Sequence, residues 1–184
     1  MTEQEQAHNK EQETQQEKPK AKSKLILMVG IPGSGKTTLS KRVVDKGFHY
    51  MNADSIRLEL YGDEKTQGDP SEVFSIFFAR LEEAMKIGKS IVIDNTNINA
   101  KQRKPILERA QQFGYEDVQL WFLDVPLEIC LERNRNRERA VEDEIVRNMY
   151  NSINSGGRPK RTEGKVIVIR PSADGKDYLF FPQN

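Results

Sequence analysis

The amino-acid sequence predicts an α/β fold, a mostly parallel sheet with helices on both faces and an arginine-bearing lid. Three observations predict it. A glycine-rich turn joins an apolar stretch to a helical one at Gly30, strand and helix patterns alternate from there to Arg170, and an arginine series follows the helix start at Pro126. Strands alternating with helices imply parallel neighbours and right-handed crossovers. In such sheets the polar strand ends gather over one edge, where ligands bind.

The turn, Gly30-Ile31-Pro32-Gly33-Ser34-Gly35-Lys36-Thr37, follows the apolar run Leu25 to Val29. It is a phosphate-binding loop, G-x-x-x-x-G-K-[ST], in the strand-to-helix context the motif requires, and it makes the expected fold a P-loop NTPase. Its glycines let backbone amides turn inward as an anion nest, and the next helix adds the positive end of its dipole. Gly30, Gly33, Ser34, Gly35, Lys36, Thr37 and Thr38 are therefore candidate contacts to a nucleoside triphosphate. Lys36 would supply a cation to the β/γ-phosphates, and Thr37 would ligate Mg²⁺. The loop says nothing of what receives the phosphate.

The elements follow from apolar periodicity. Leu25 to Val29 reads as the first strand, Lys36 to Lys46 as a helix stopped by Gly47, Phe48 to Asn52 as a strand and Asp54 to Tyr61 as a short helix. Asp69-Pro70-Ser71-Glu72 predicts a helix start with Asp69 as cap and Glu72 reaching back. Val73, Phe74, Phe77, Phe78, Leu81, Ala84 and Met85 then form a helical core stripe ended by Gly88. Ser90 to Asp94 predicts a strand, followed by a helix through about Phe113; Val118 to Val125 predicts the next strand. Helices are expected from Pro126 and from Glu142 to Ile153, broken by Ser155-Gly156-Gly157-Arg158-Pro159. Lys165 to Arg170 closes the pattern with Tyr178 to Phe181 as its partner.

Composition narrows the possibilities. The 184 residues suit one full-sized core, expected over residues 25–184, with a lid at about 133–142 and a C-terminal strand extension at about 164–181. Thr2 to Lys24 contain no Val, Ile, Leu, Phe, Tyr or Trp, and residues 1–24 are expected to be a disordered polar tail. No apolar stretch reaches membrane-spanning length and no secretory signal is evident, so a cytoplasmic location is expected. Cys130 is the only cysteine and reads as a small core residue. With two histidines, a zinc site is not expected, and Mg²⁺ carried by the nucleotide is. A net charge of +1 gives no global sign of a polyanion partner.

Three polar clusters follow predicted strand ends. In Asn52-Ala53-Asp54-Ser55-Ile56-Arg57, a carboxylate beside the γ-phosphate could accept the acceptor's proton and help position Mg²⁺, while Arg57 could hold an anion on the acceptor. A helix cap explains the same residues. In Asp94-Asn95-Thr96-Asn97, Asp94 has the form of a Mg²⁺-water ligand, and a capped turn is again the alternative. The third cluster is Arg133, Arg135, Arg137 and Arg139. Spacing of four puts Arg133 with Arg137 on one helical face and Arg135 with Arg139 beside them. Arg137 and Arg133 are the arginines expected to meet phosphate oxygens, with a solvated charged helix as the alternative for the series.

Taken together, these clusters resemble the polynucleotide 5′-kinase family, especially the phage-type kinase domain. The likeness runs from Leu25 to about Tyr150 and adds Phe122-Leu123-Asp124-Val125-Pro126, Arg133-Asn134 and Arg147-Asn148-Met149-Tyr150. In the phage-type pattern the strand-end aspartate sits one position later than Asp94. The resemblance implies ATP and Mg²⁺ as cofactors and the 5′ ends of single-stranded DNA or RNA as substrate. By it, Asp54 is the general base, Arg57 engages the acceptor with Asp94 and Asn95 beside it, and Lys36, Thr37 and Arg137 handle the triphosphate. Thr37, Asp54 and Asp94 are its metal candidates. The phage-type enzyme resembles a fusion with a phosphatase domain; with no D-x-D-x-T motif here, kinase activity without end-healing phosphatase activity is expected. A basic acceptor channel would draw on Arg57, Arg103, Lys104, Arg158, Lys160, Arg161 and Lys165, with a solvated surface the favoured reading for each of the last six taken singly. Two other functions stay open: a kinase for a small-molecule hydroxyl (nucleoside, sugar or antibiotic), and a nucleotide-controlled nucleic-acid-binding module without transfer chemistry.

Overall fold

The computed structural model describes residues 22–63 and 66–183. Six strands form one sheet: β1 Lys24–Val29, β2 His49–Met51, β3 Ile91–Ile93, β4 Asp117–Leu123, β5 Lys165–Pro171 and β6 Tyr178–Pro182. Their order is β2-β3-β1-β4-β5-β6; the first five are parallel, and β6 turns back antiparallel to β5. This is the mostly parallel P-loop sheet that the sequence predicts.

Among the described residues, six α-helices connect and cover it: α1 Lys36–Val44, α2 Ala53–Tyr61, α3 Pro70–Lys86, α4 Ala100–Gln112, α5 Leu127–Arg135 and α6 Asp143–Ser152. β1 and β3 are buried on both faces, hence their unbroken apolar runs. One face packs Ile26, Met28 and Val92 against Leu39 and Val43 of α1, Cys130 and Leu131 of α5 and Val146 of α6. The other packs Leu25, Leu27, Ile91 and Ile93 against α2, α3 and α4. The C-terminal ends of β1, β2, β3 and β4 therefore open on one edge, between helices of both layers.

Several expectations are corrected. Phe74 is exposed, because it lies one position off the buried Val73–Phe77–Leu81 stripe of α3. Asp69 does cap α3, accepting the Ser71 N–H at 2.8 Å. Glu72 does not reach back: its carboxylate accepts the Tyr61 hydroxyl (2.8 Å), and that same hydroxyl accepts the Asp69 N–H at 3.1 Å. Order reaches further towards the N-terminus than the expected boundary, since Lys24 belongs to β1 and Ser23 Oγ donates to the Gly88 carbonyl at 2.7 Å. The remainder of the expected tail, residues 1–21, lies outside the described residues.

The largest correction concerns Arg103. Expected on a basic channel, it is instead fully buried beneath α4. Its guanidinium donates to both Glu163 oxygens (2.8 and 3.0 Å) and to the carbonyls of Asn97 (2.8 Å) and Gly157 (2.9 Å). A planar fork of five donors suits this task, which no lysine could perform. No helix among the described residues is long and apolar enough to cross a membrane.

Candidate active site

The phosphate loop leaves β1 and is tied to the β3 end by the Gly30 N–H, which donates to the Thr96 carbonyl at 3.0 Å. Gly33 (φ 80°) and Gly35 (φ 103°) take the left-handed conformation. Space forbids side chains at both: a Cβ on Gly33 would lie 2.1 Å from the Cys130 carbonyl oxygen, and one on Gly35 1.8 Å from the Tyr178 hydroxyl. Gly35 is also the N-cap of α1 and supplies no side-chain hydrogen bond, so the first-turn amides keep their donors for a ligand. Ser34 Oγ is fully buried without a hydrogen-bond partner. An orphaned hydroxyl, an uncapped helix start and a bare glycine cradle fit a polyphosphate chain.

A cavity of about 350 Å³ opens there, lined by Gly33, Gly35, Lys36, Thr37, Thr38, Arg133, Arg137 and Tyr178. Lys36 Nζ donates to the Ile31 carbonyl at 3.0 Å, which holds the ammonium at the loop's mouth. Burial pulls its pKa down to about 8, opposed chiefly by Asp94 and aided by Arg137; Asp54 also acts on it. Residues from all three polar clusters thus bear on one ammonium.

This gives a signed pH prediction. Lys36 titrates below its unfolded value, so between about 8 and 10.5 the unfolded chain holds a proton that the folded chain has lost, and stability rises with pH across that window. Bound triphosphate favours the ammonium and raises its pKa. Calorimetry in buffers of different ionisation enthalpy is expected to show ATP binding taking up about 0.9 proton at pH 9 and about 0.1 at pH 7. Lys36→Arg, charged throughout, is expected to show none.

The arginine loop departs from the sequence expectation. α5 ends at Arg135, so Arg137 and Arg139 leave the helix and the four-residue spacing no longer sets their direction. Asn134 causes the turn: fully buried, it donates to the Val141 carbonyl (2.7 Å) and accepts the Val141 N–H (3.1 Å), closing the loop on itself. Arg133 and Arg137 still both line the phosphate cavity. Arg135 turns away to pair with Asp143. Arg139 reaches Asp54 instead, Nη1 to Oδ2 at 3.0 Å.

Asp54 is the second residue of α2, whose N-cap Asn52 accepts the Ser55 N–H at 2.8 Å. The cap is therefore Asn52, and Asp54 is left for another role. Its other oxygen accepts from Arg57 Nη1 at 2.8 Å, so two guanidiniums grip one carboxylate. Asp94, at the β3 end, accepts the Tyr50 hydroxyl on Oδ2 (2.9 Å), and Asn52 Nδ2 donates to that hydroxyl at 2.8 Å. Burial, with Asp94 nearby, raises the Tyr50 pKa and keeps the phenol protonated. Asn95 Oδ1 accepts the Ala53 N–H at 2.9 Å, which fixes the start of α2 against the β3 end. Among the described residues no group of three or more His, Cys, Asp or Glu could hold a metal ion. Thr37 and Asp94 are side chains that could join phosphate oxygens around Mg²⁺, whereas both oxygens of Asp54, the third metal candidate, are held by Arg57 and Arg139.

Two tyrosines were missed by the sequence reading. Tyr50 joins the first two polar clusters, and its only signal is its place on β2 just before Asn52. Tyr178 comes from the far end of the chain: its hydroxyl donates to the Ser34 carbonyl at 3.3 Å and accepts from Arg133 Nη1 at 3.4 Å. Next to it, Asp177 pairs with Arg42 of α1 at 2.7 Å, which pins the β5–β6 hairpin to the phosphate-loop helix. No local pattern announces a contact between residues 144 positions apart.

Sheet order and phosphate loop define a P-loop kinase-like fold, with two arginines converging on the loop. Residues 25–154 match the AAA domain family, and the chain belongs to it. Among its curated relatives is the L-seryl-tRNA(Sec) kinase of Methanococcus maripaludis, 27% identical over 138 residues, covering 72% of this chain and 53% of that protein. The bifunctional polynucleotide phosphatase/kinase of Schizosaccharomyces pombe is 26% identical over 129 residues, covering 70% and 25%. The chain thus spans about half of the first of these relatives and a quarter of the second. A chain of the Pnkp1/Rnl/Hen1 RNA repair complex superposes with a TM-score of 0.65 at 20% identity, covering 77% of this chain and 47% of that one, and shares its fold.

Proposed function

We propose that the protein transfers the γ-phosphate of ATP to the 5′-hydroxyl of a polynucleotide. The observation that carries this reading is the Asp54 carboxylate, held by Arg57 and Arg139 while its charge acts on Lys36. A carboxylate beside the phosphate loop suits abstraction of a hydroxyl proton. Arg57, mostly buried beside it, offers a cation to an acceptor that carries its own phosphate. The likeness to a polynucleotide phosphatase/kinase supports a nucleic-acid acceptor.

In this reading Gly30, Gly33, Ser34, Gly35, Thr37 and Thr38 cradle the phosphates, and Lys36, Arg133 and Arg137 offset their charge. Asp54 takes the proton of the 5′-oxygen as that oxygen bonds to the γ-phosphorus and the bond to the β-bridging oxygen breaks, releasing ADP. Mg²⁺, held through Thr37 and Asp94, would neutralise charge on the β- and γ-oxygens. Asn95 and Tyr50 act as struts that orient Asp54 and Asp94.

The test offers γ-labelled ATP and Mg²⁺ with a 5′-hydroxyl oligodeoxynucleotide, the matching RNA, a 5′-phosphorylated control and free nucleosides. Label confined to the 5′-hydroxyl oligomers is expected. Label on nucleosides alone would move the assignment to a small-molecule hydroxyl. ATP-dependent oligonucleotide binding with no labelled product would leave a binding module.

A further inference from the structure

A second cavity lies away from the phosphate loop. It is a groove of about 850 Å³ between α4 and residues 156–163. The topology creates it. Val118 lies in register with Leu25, so both point to the face that α4 covers. After β5 the chain turns back as β6, so among the described residues no helix following β5 crosses that face over β4 and β5, and the segment after α6 covers it only in part.

The groove follows α4 from Ala100 to Gln111, about 17 Å at the helical rise. Its floor is apolar, with Leu107 and Val118, and Lys101, Lys104, Arg158 and Lys160 line its sides. Three carboxylates also line it, each beside a cation. Glu163 is held by Arg103, Glu116 by Lys22, and Glu108 lies 3.8 Å from Lys104. Lys101 and Lys160 enter no ion pair among the described residues.

One end of the groove opens on the same edge of the sheet as the candidate active site. Ala100 begins just beyond the Asp94–Asn97 turn, and Arg158 lies 3.4 Å from Asp124 at the C-terminal end of β4. Arg103 fixes the two walls together, because one guanidinium holds the Asn97 carbonyl on one side and Gly157 with Glu163 on the other. The track therefore has a rigid shape set by the same turn that carries Asp94.

We infer that this groove binds the sugar–phosphate backbone of a single-stranded polynucleotide downstream of its reacting 5′ end; the inference rests on the polynucleotide reading above. Unpaired lysines along a fixed groove are complementary to a run of phosphates, and an apolar floor accommodates sugars and base faces without reading sequence.

The test compares wild type with Lys101→Ala/Lys104→Ala/Lys160→Ala on 5′-hydroxyl acceptors of two and about 12 nucleotides over a salt series. ATP affinity serves as the folding control. The variant is expected to lose at least tenfold in kcat/KM on the long acceptor and less than twofold on the dinucleotide. Its salt slope for binding a fluorescent form of the long oligonucleotide should be shallower by about two, three phosphate contacts at 0.7 each. Equal losses on both acceptors, or none on either, would overturn the groove assignment. If wild type labels no oligonucleotide yet binds the long one through these lysines, the groove stands and the 5′-kinase reading falls.

Discussion

Asp54→Asn is expected to lower the rate of phosphoryl transfer by roughly 10²- to 10⁴-fold, the range for removing a positioned base. The side chain keeps its size and its place on α2, and the Asn52 cap that starts the helix is untouched. Its stability cost is small. A half-exposed carboxylate gives up two ion pairs worth about 0–1 kcal/mol each and a helix-dipole contribution of about 0.3–1 kcal/mol. ATP affinity should change little, because the phosphate cavity lining does not include Asp54. Single-turnover transfer from γ-labelled ATP, beside a direct ATP titration, separates the two effects. A near-normal rate in the variant would remove Asp54 from the chemistry. The substitution should also lower the Lys36 pKa slightly, since the Asp54 charge supports that ammonium.

Arg103→Met is expected to destabilise the fold by about 3–5 kcal/mol, the cost of breaking a buried pair from one side. Methionine can fill much of the space, but Glu163 then loses its counter-charge and the Asn97 and Gly157 carbonyls lose a donor. For a domain of this size the melting temperature should fall by roughly 10 °C. The paired variant Arg103→Met/Glu163→Gln should be less destabilised than the sum of its single changes, because no unpaired charge is left behind. Lys104→Met, on the exposed side of the same helix, should stay within about 0.5 kcal/mol. Urea unfolding of wild type, Arg103→Met, Glu163→Gln, the paired variant and Lys104→Met measures all of this. Equal midpoints for Arg103→Met and wild type would mean that the buried network adds nothing to stability.

These outcomes show where local sequence rules stop. The phosphate loop was readable because its chemistry is encoded within eight consecutive residues, and glycine, lysine and threonine each have one physical reason to be where they are. Strand order along the chain was readable because burial on both faces demands unbroken apolar runs such as Ile91 to Ile93. Asp54 stood out for the same reason as Asp94: each is an acidic residue just past a predicted strand.

Pairwise geometry was not readable. A helical spacing assigned Arg133 and Arg137 to one face, yet the helix ends between them because the buried Asn134 bonds the Val141 backbone, and only folding brings both to the phosphate cavity. Arg139 finds Asp54 across 85 positions from the loop that Asn134 closes, and Tyr178 finds Ser34 across 144 through β6, which pairs with β5 at the edge of the sheet. Arg103 carries the same sequence signal as Lys104, a cation on a polar helix, and whether it is solvated or buried depends on which face of α4 meets Glu163. By itself the sequence determined the fold class, the phosphate loop and the residue types that can do phosphoryl transfer, because those depend on local periodicity and backbone freedom. Tertiary structure alone decided which arginine grips which carboxylate and where a groove is left open, because those depend on distances between elements far apart in the chain.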